Sequence, residues 1–293
     1  MPDMSHAPLD SLHQDFATLS AIERAIISAG GGFDAFTEMV TGLFRQAFDE
    51  VIDAPRTNRF TLNEIEKTEK TYIGTKVEIL LRNFLGMPKG KILDLLVDGV
   101  EVDIKMTTAR DWMIPRESIG RPAILMKADE RSALCDVGLV VCRPEYLRTS
   151  NNQDKKGQIA AAQYVHIWWI LRRQPYPKNF WEVLPVSERK AIMEAGTGKW
   201  RLAELFERIQ GQPISRSQVE AIAQQDDYMK RLRKNGGARD ILGPKQIAIL
   251  WGSKDRDLID KFGLGPVTAK EFVSYHASDP EGAALLRSRD HID

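Results

Sequence analysis

Apolar residues recur every three to four positions across residues 9–53, and Leu19, Ile22, Ile26 and Ile27 fall on one helical face. Ala29-Gly30-Gly31-Gly32 breaks this pattern, and since no phosphate-loop lysine follows, the glycines are expected to be a flexible connection. A second helical pattern covers residues 71–85, its apolar stripe made by Ile73, Val77, Leu80, Leu81 and Phe84. Glu78 projects about 100° from the middle of that stripe, at the flank where a helix meets a sheet. The period then falls to two in DLLVDGVEVDIK (residues 94–105), and ILMKAD and LCDVGLVVCR read as further strands. Helix, helix, strands is the order of a mixed α/β domain.

RTSNNQDKKGQ is polar and turn-forming and is expected to be a surface loop. In YVHIWWILRRQPYPKNFW an apolar, strand-like run gives way to Arg172, Arg173 and two prolines, which places a change of domain near residue 173. The expected domains are therefore 1–172 and 173–293. Beyond the boundary Leu202, Leu205, Phe206 and Ile209 follow helical spacing, and Ser215 is an N-cap for a short helix through Val219 and Ile222. A further helix is expected over 226–234, ended by Gly236-Gly237, and QIAIL reads as a strand. Three short helices followed by a strand fit a winged helix-turn-helix, so this domain is expected to be mainly helical.

The sharpest chemistry lies in DLLVDGVEVDIK. Asp and Gly tolerate the positive φ of a type I′ turn, so Asp98-Gly99 predicts a two-residue hairpin. Val97 then faces Val100, and Asp94 faces Asp103. Leu93, Leu95, Val97, Val100, Val102 and Ile104 share one face; Asp94, Asp103 and Lys105 share the other. Two readings stay open. The polar face is a solvated sheet surface, or its apposed carboxylates, which repel when unpaired, hold a divalent cation beside a lysine. Hard oxygen ligands suit Mg²⁺, and a lysine there can orient or activate a water and steady phosphate charge, the parts phosphodiester hydrolysis needs. Glu78 either reaches this face or is a solvated flank residue.

Composition narrows the partners. The 293 residues are comfortable for two domains, and 41 basic side chains balance 41 acidic ones, so any nucleic-acid affinity must come from local patches. One such patch spans 230–245, where Lys230, Arg231, Arg233, Lys234, Arg239 and Lys245 meet one acid, Asp240. It either contacts DNA or is a solvated charge run favouring a helix C-terminus. The two cysteines, Cys135 and Cys142, suit buried thiols rather than a disulfide framework, and the five histidines show no metal-ligand spacing. With no signal segment and no membrane-length apolar run, a soluble cytoplasmic protein is expected.

The blocks KTEKTYIGTKVEI, GVEVDIKM, WMIPRESIG and AQQDDYMKRLRKNGGAR, in order between about residues 59 and 242, resemble NaeI-type (type IIE) restriction endonucleases of the PD-(D/E)xK superfamily. The resemblance implies an endonuclease domain with a mixed sheet flanked by helices, then a winged helix-turn-helix of the catabolite-activator kind. It implies Mg²⁺-dependent, sequence-specific double-strand cleavage in defence against foreign DNA, with Glu78, Asp94, Asp103 and Lys105 catalytic. Asp94, Asp103, Glu78 and the Ile104 carbonyl are the implied metal ligands. It also implies a homodimer holding two copies of its DNA site, one cleaved and one acting as allosteric effector on Arg216, Lys230, Arg231, Arg233, Lys234 and Arg239. Lys67 and Lys70 are expected to touch phosphate. The segment 107–112, with Thr107, Thr108 and Arg110, is expected to approach the bases, unless Trp112 is core. Upstream of residue 59 and after 263 the likeness fades. Related nucleases nick or repair DNA, and a helix-turn-helix regulator with an idle nuclease domain is a separate alternative that four intact site residues argue against. Strand passage, with Tyr228 as nucleophile, has no support beyond that tyrosine's place in a basic segment.

Overall fold

The computed structural model describes residues 6–149, 157–159 and 161–293, so most of the expected RTSNNQDKKGQ loop lies outside the described residues. The chain forms two compact units: the residues through Ile52 with Thr61–Glu182, and Asp53–Phe60 with Val183–Asp293. Among the described residues no helix is long and apolar enough to cross a membrane.

In the first unit the triple glycine separates α1 (Phe16–Ala29) from α2 (Phe33–Ile52). Gly31 and Gly32 take φ of +81° and +103°, which side-chain-bearing residues rarely adopt. α3 (Ala54–Thr57) belongs to the second unit. α4 (Lys67–Leu85) starts with a reciprocal capping box between Glu66 and Glu69 and stops at Gly86 in the left-handed region. Its buried row is Ile73, Val77, Leu81 and Leu85, whereas Phe84, expected in the stripe, is 42% exposed. The helix packs against α2 and the sheet along one i, i+4 ridge, and Phe84 falls off that ridge.

The strands are β1 (Leu95–Val97), β2 (Val100–Thr107), β3 (Met113–Ile114), β4 (Pro122–Asp129), β5 (Leu134–Val141), β6 (Leu147–Thr149), β7 (Gly157–Ile159) and β8 (Trp168–Pro175). Five of them form a sheet of order β1-β2-β4-β5-β8, in which β2 and β4 are parallel and the other neighbours antiparallel. This mixed sheet with α1, α2 and α4 matches the expected α/β class. The small sheet β3-β7-β6 was not legible, because two- and three-residue strands carry no period. Trp112 is core: it is buried with Ile114, Leu125, Val140 and Trp169, and its indole N–H donates to the Met126 carbonyl at 2.8 Å. Cys135 and Cys142 are free and buried, and burial pushes each thiol up to about 12. Arg173, at the expected change of domain, lies inside β8, and the unit continues into α5 (Phe180–Val183).

The second unit contains α6 (Val186–Glu194), α7 (Gly198–Arg208), β9 (Ile214–Ser215), α8 (Arg216–Ala223), α9 (Ala238–Leu242), β10 (Ile247–Trp251), α10 (Arg256–Lys261), β11 (Glu271–His276) and α11 (Pro280–Ser288). An antiparallel sheet runs β10-β11-β9. Leu202, Leu205 and Phe206 are fully buried. Ser215 does cap α8, accepting the Gln218 N–H while the Gln218 side chain accepts its own. The helix expected over 226–234 is only a 3-10 turn, Tyr228–Leu232. Leu232 is its sole buried residue, and the chain folds back so tightly that a Cβ on Gly237 would lie 2.2 Å from the Arg233 carbonyl oxygen. One apolar anchor cannot hold a longer helix against that reversal.

Candidate active site

Asp98 and Gly99 take φ of +48° and +82°, the signs a type I′ turn needs. Val97 pairs with Val100 and Leu95 with Val102, so one step further back brings Asp94 level with Asp103. The apolar face is buried at Leu93, Leu95, Val97, Val102 and Ile104; Val100, at the tip, is 38% exposed.

On the polar face the two aspartates share a donor. The Ile104 N–H donates to Asp94 Oδ2 at 3.0 Å and to Asp103 Oδ1 at 3.1 Å. The Lys105 ammonium lies 2.6 Å from Asp103 Oδ1 and 3.5 Å from Asp94 Oδ2, and donates to the Ile104 carbonyl at 3.0 Å. Burial, then a hydrogen bond with Asp94, pushes Asp103 up to about 6. Burial opposes ionisation of Asp94 too, but its hydrogen bonds to Asp103 and the Ile104 N–H, with Lys105 close, hold it below the usual carboxylate range. Glu78, on α4, is pushed up to about 7 by burial and then by the charges of Asp94 and Asp103. Burial disfavours the Lys105 charge, yet Asp103, Asp94 and Glu78 together raise its pKa.

The structure thus joins Asp94, Asp103 and Lys105 directly and places Glu78 within their field. Among the described residues no three His, Cys, Asp or Glu side chains converge closely enough to hold a metal ion by themselves. The donor chemistry nevertheless fits a hard cation. Its donors are oxygens only: the carboxylates of Asp94 and Asp103 lie against one ammonium, with the half-buried Glu78 carboxyl within their field.

Two participants escaped the sequence reading. Glu101 accepts the backbone N–H groups of Lys91 at 2.6 Å, Ile92 at 3.0 Å and Leu93 at 2.7 Å, and these hydrogen bonds keep its carboxyl low. The loop before β1 is wrapped so closely that a Cβ on Gly90 would lie 2.8 Å from Glu101 Oε2. Strand alternation puts Glu101 on the face of Asp103 and Lys105, a signal that was available. Ser118, in the 3-10 turn Arg116–Ser118 before β4, donates its hydroxyl to Asp103 Oδ2; fifteen residues of separation hid it.

The expected DNA contacts divide. Lys67 and Lys70 are exposed on the first turn of α4, and Thr108 and Arg110 are exposed after β2. The Thr107 hydroxyl is taken up within its own loop, accepting the Ala109 N–H and donating to the Asp111 carbonyl. Arg148 and Tyr164 in turn hold the Asp111 carboxylate, which gives this loop a fixed shape. In the second unit Arg216, Lys230 and Arg233 are exposed, Arg231 pairs with Asp227, and Lys234 pairs with Asp290. Arg239, expected among the effector contacts, turns inward: its Nη2 donates to the Ile249 carbonyl at 2.7 Å and its Nη1 lies 3.3 Å from His291 Nδ1.

Residues 31–283 match the family model described as restriction endonuclease NaeI. The type II restriction enzyme NaeI of Lentzea aerocolonigenes is 34% identical over 269 residues, covering 86% of this chain and 84% of its own. The likeness therefore reaches further in both directions than the sequence blocks indicate, taking in α2 and the first turn of α11.

Proposed function

Because this chain belongs to the restriction endonuclease NaeI family, we propose that it cleaves DNA at the Asp94, Asp103 and Lys105 centre of its first unit. It is a type II restriction enzyme, a site-specific deoxyribonuclease that hydrolyses phosphodiester bonds. One observation carries the assignment of the centre: two apposed carboxylates share one backbone donor with a lysine ammonium seated against both.

Asp94, Asp103 and the Ile104 carbonyl would hold Mg²⁺, with Glu78 joining directly or through water. The ion, when bound, supplies charge that polarises the scissile phosphoryl oxygen and stabilises the leaving 3′ oxygen. Lys105, kept charged by its three acidic neighbours, orients the attacking water and steadies the phosphate. Lys67, Lys70, Thr108 and Arg110 lie on the exposed ends of elements that enter the centre and would meet the backbone and bases. The Thr107 hydroxyl shapes their loop.

The second unit supports a winged helix-turn-helix reading through its order α7, β9, α8, α9, β10, β11 and its small antiparallel sheet. Arg216, Lys230 and Arg233 would grip a second DNA copy, with Arg231 and Lys234 at its edge. A homodimer with one cleaved and one effector site is the assembly this division of labour serves, provided effector DNA favours the cleavage-competent state. Genomic DNA of known sequence, digested with Mg²⁺ and sequenced at its ends, tests the activity. Discrete double-strand ends at one sequence are expected, with a loss on the order of 100-fold to 1,000-fold for Lys105→Ala. Unchanged cleavage by that variant would remove Lys105 from the mechanism.

A further inference from the structure

We propose that Ser118 is a positioning residue for Asp103, fixing which carboxylate oxygen faces the cation, an inference that rests on the Asp94 and Asp103 centre being the cleavage site. Ser118 is 0% exposed and its hydroxyl has one proton to give, which goes to Asp103 Oδ2. The other oxygen, Oδ1, takes Lys105 Nζ at 2.6 Å and the Ile104 N–H at 3.1 Å. Rotating the carboxylate would break all three bonds. Asp103 therefore presents Oδ1 toward Lys105 and Asp94 and keeps Oδ2 turned away.

Burial in the turn runs against hydrophobicity. Arg116 and Glu117 are exposed and Ile119 is 40% exposed, while the serine between them is fully buried. Burying a hydroxyl in preference to an isoleucine is unfavourable unless that hydroxyl has a partner there. The turn also has backbone bonds of its own. The Ser118 N–H donates to the Pro115 carbonyl at 3.2 Å, and its own carbonyl accepts the Arg121 N–H at 3.0 Å. Gly120 N–H donates to the Cys142 carbonyl at 2.8 Å, and Cys142 N–H donates back to Arg121 at 2.9 Å. These bonds tie the turn to the end of β5. Ser118 thus reaches Asp103 from the connection into β4, the parallel neighbour of β2.

Outer hydrogen bonds to metal ligands are typically worth about 10-fold to 100-fold in metal affinity or activity. The test uses the full-length protein with duplex DNA, titrating Mn²⁺ by electron paramagnetic resonance and following single-turnover cleavage against Mg²⁺ concentration. Ser118→Ala should weaken Mn²⁺ binding and raise the half-saturating Mg²⁺ concentration by about 10-fold to 100-fold, with excess Mg²⁺ restoring most of the rate. Ser118→Thr, which keeps the hydroxyl, should stay closer to wild type, and Ser118→Cys, a weak donor of similar size, should fall between. Wild-type Mn²⁺ affinity in Ser118→Ala, or a rate loss equal at every Mg²⁺ concentration, overturns the proposal. Asp103→Asn separates the two levels: if it binds Mn²⁺ and cuts like wild type, the centre is misassigned and the role of Ser118 falls with it.

Discussion

At Glu78 stability and the proposed cleavage chemistry pull apart. Its pKa in the folded protein is about 7 against an ordinary 4.5, so between those values the folded state holds the proton that the unfolded chain has released. The stability it contributes is fully present below about pH 4.5 and is lost as pH rises through 7. Glu78→Gln should therefore melt higher than wild type at pH 8, by roughly 1–2 kcal/mol once solvent screening is allowed for, and alike at pH 4. A variant less stable than wild type at pH 8 would contradict this environment. Cleavage should rise with pH through about 7 as Glu78 ionises, and the midpoint should move to lower pH at higher Mg²⁺, because a cation favours the charged form. Single-turnover rates across pH at two Mg²⁺ concentrations measure both.

The hairpin and the loop before it act as one element. Asp94 ends a loop whose three preceding N–H groups converge on Glu101, so its place beside Asp103 depends on a residue in the opposite strand. Glu101→Ala should cut cleavage by about 10-fold to 100-fold, and Gly90→Ala should act in the same direction by pushing a methyl against the Leu93 carbonyl oxygen and that carboxylate. Hydrogen exchange at residues 91–93 is the direct check: protection should be lost in Glu101→Ala and largely kept in Glu101→Gln, which retains an acceptor oxygen. Amides that stay protected in the alanine variant would show that the loop holds its shape without the clamp.

With whole-chain charge at zero, long-range attraction to DNA cannot come from the protein as a whole. It must come from side chains that point outward without acid partners, and several basic residues fail that condition. Arg231 is bound to Asp227, Lys234 to Asp290 and Arg239 to a backbone carbonyl, while Lys230 is 70% exposed with Asp227 only at 3.9 Å. The double variant Lys230→Ala/Arg233→Ala should lower the slope of log affinity against log salt by up to about 0.9 per lost phosphate contact. Fluorescence anisotropy with labelled duplex across a salt series reads that slope. A Lys234→Ala/Arg239→Ala variant should change it less, and the reverse order would relocate the DNA surface.

The chain's local pattern was enough for the hairpin, its register and the grouping of Asp94, Asp103 and Lys105. A two-residue turn and a period of two leave no freedom in which side chains share a face. The same holds for the α7 stripe and the Ser215 cap, where partners lie within one or two turns. What the pattern misjudged depends on packing between distant segments. Phe84 lies off the ridge that α2 and the sheet select, the helix expected over 226–234 is cut short by the reversal at Gly237, and Arg239 turns inward to Ile249. Ser118 meets Asp103 only because β2 and β4 run parallel and the connection between them folds back on the first strand. Sequence periodicity orders neighbours along an element; which elements meet, and through which polar atoms, is decided when the buried faces pack and every enclosed donor must find an acceptor.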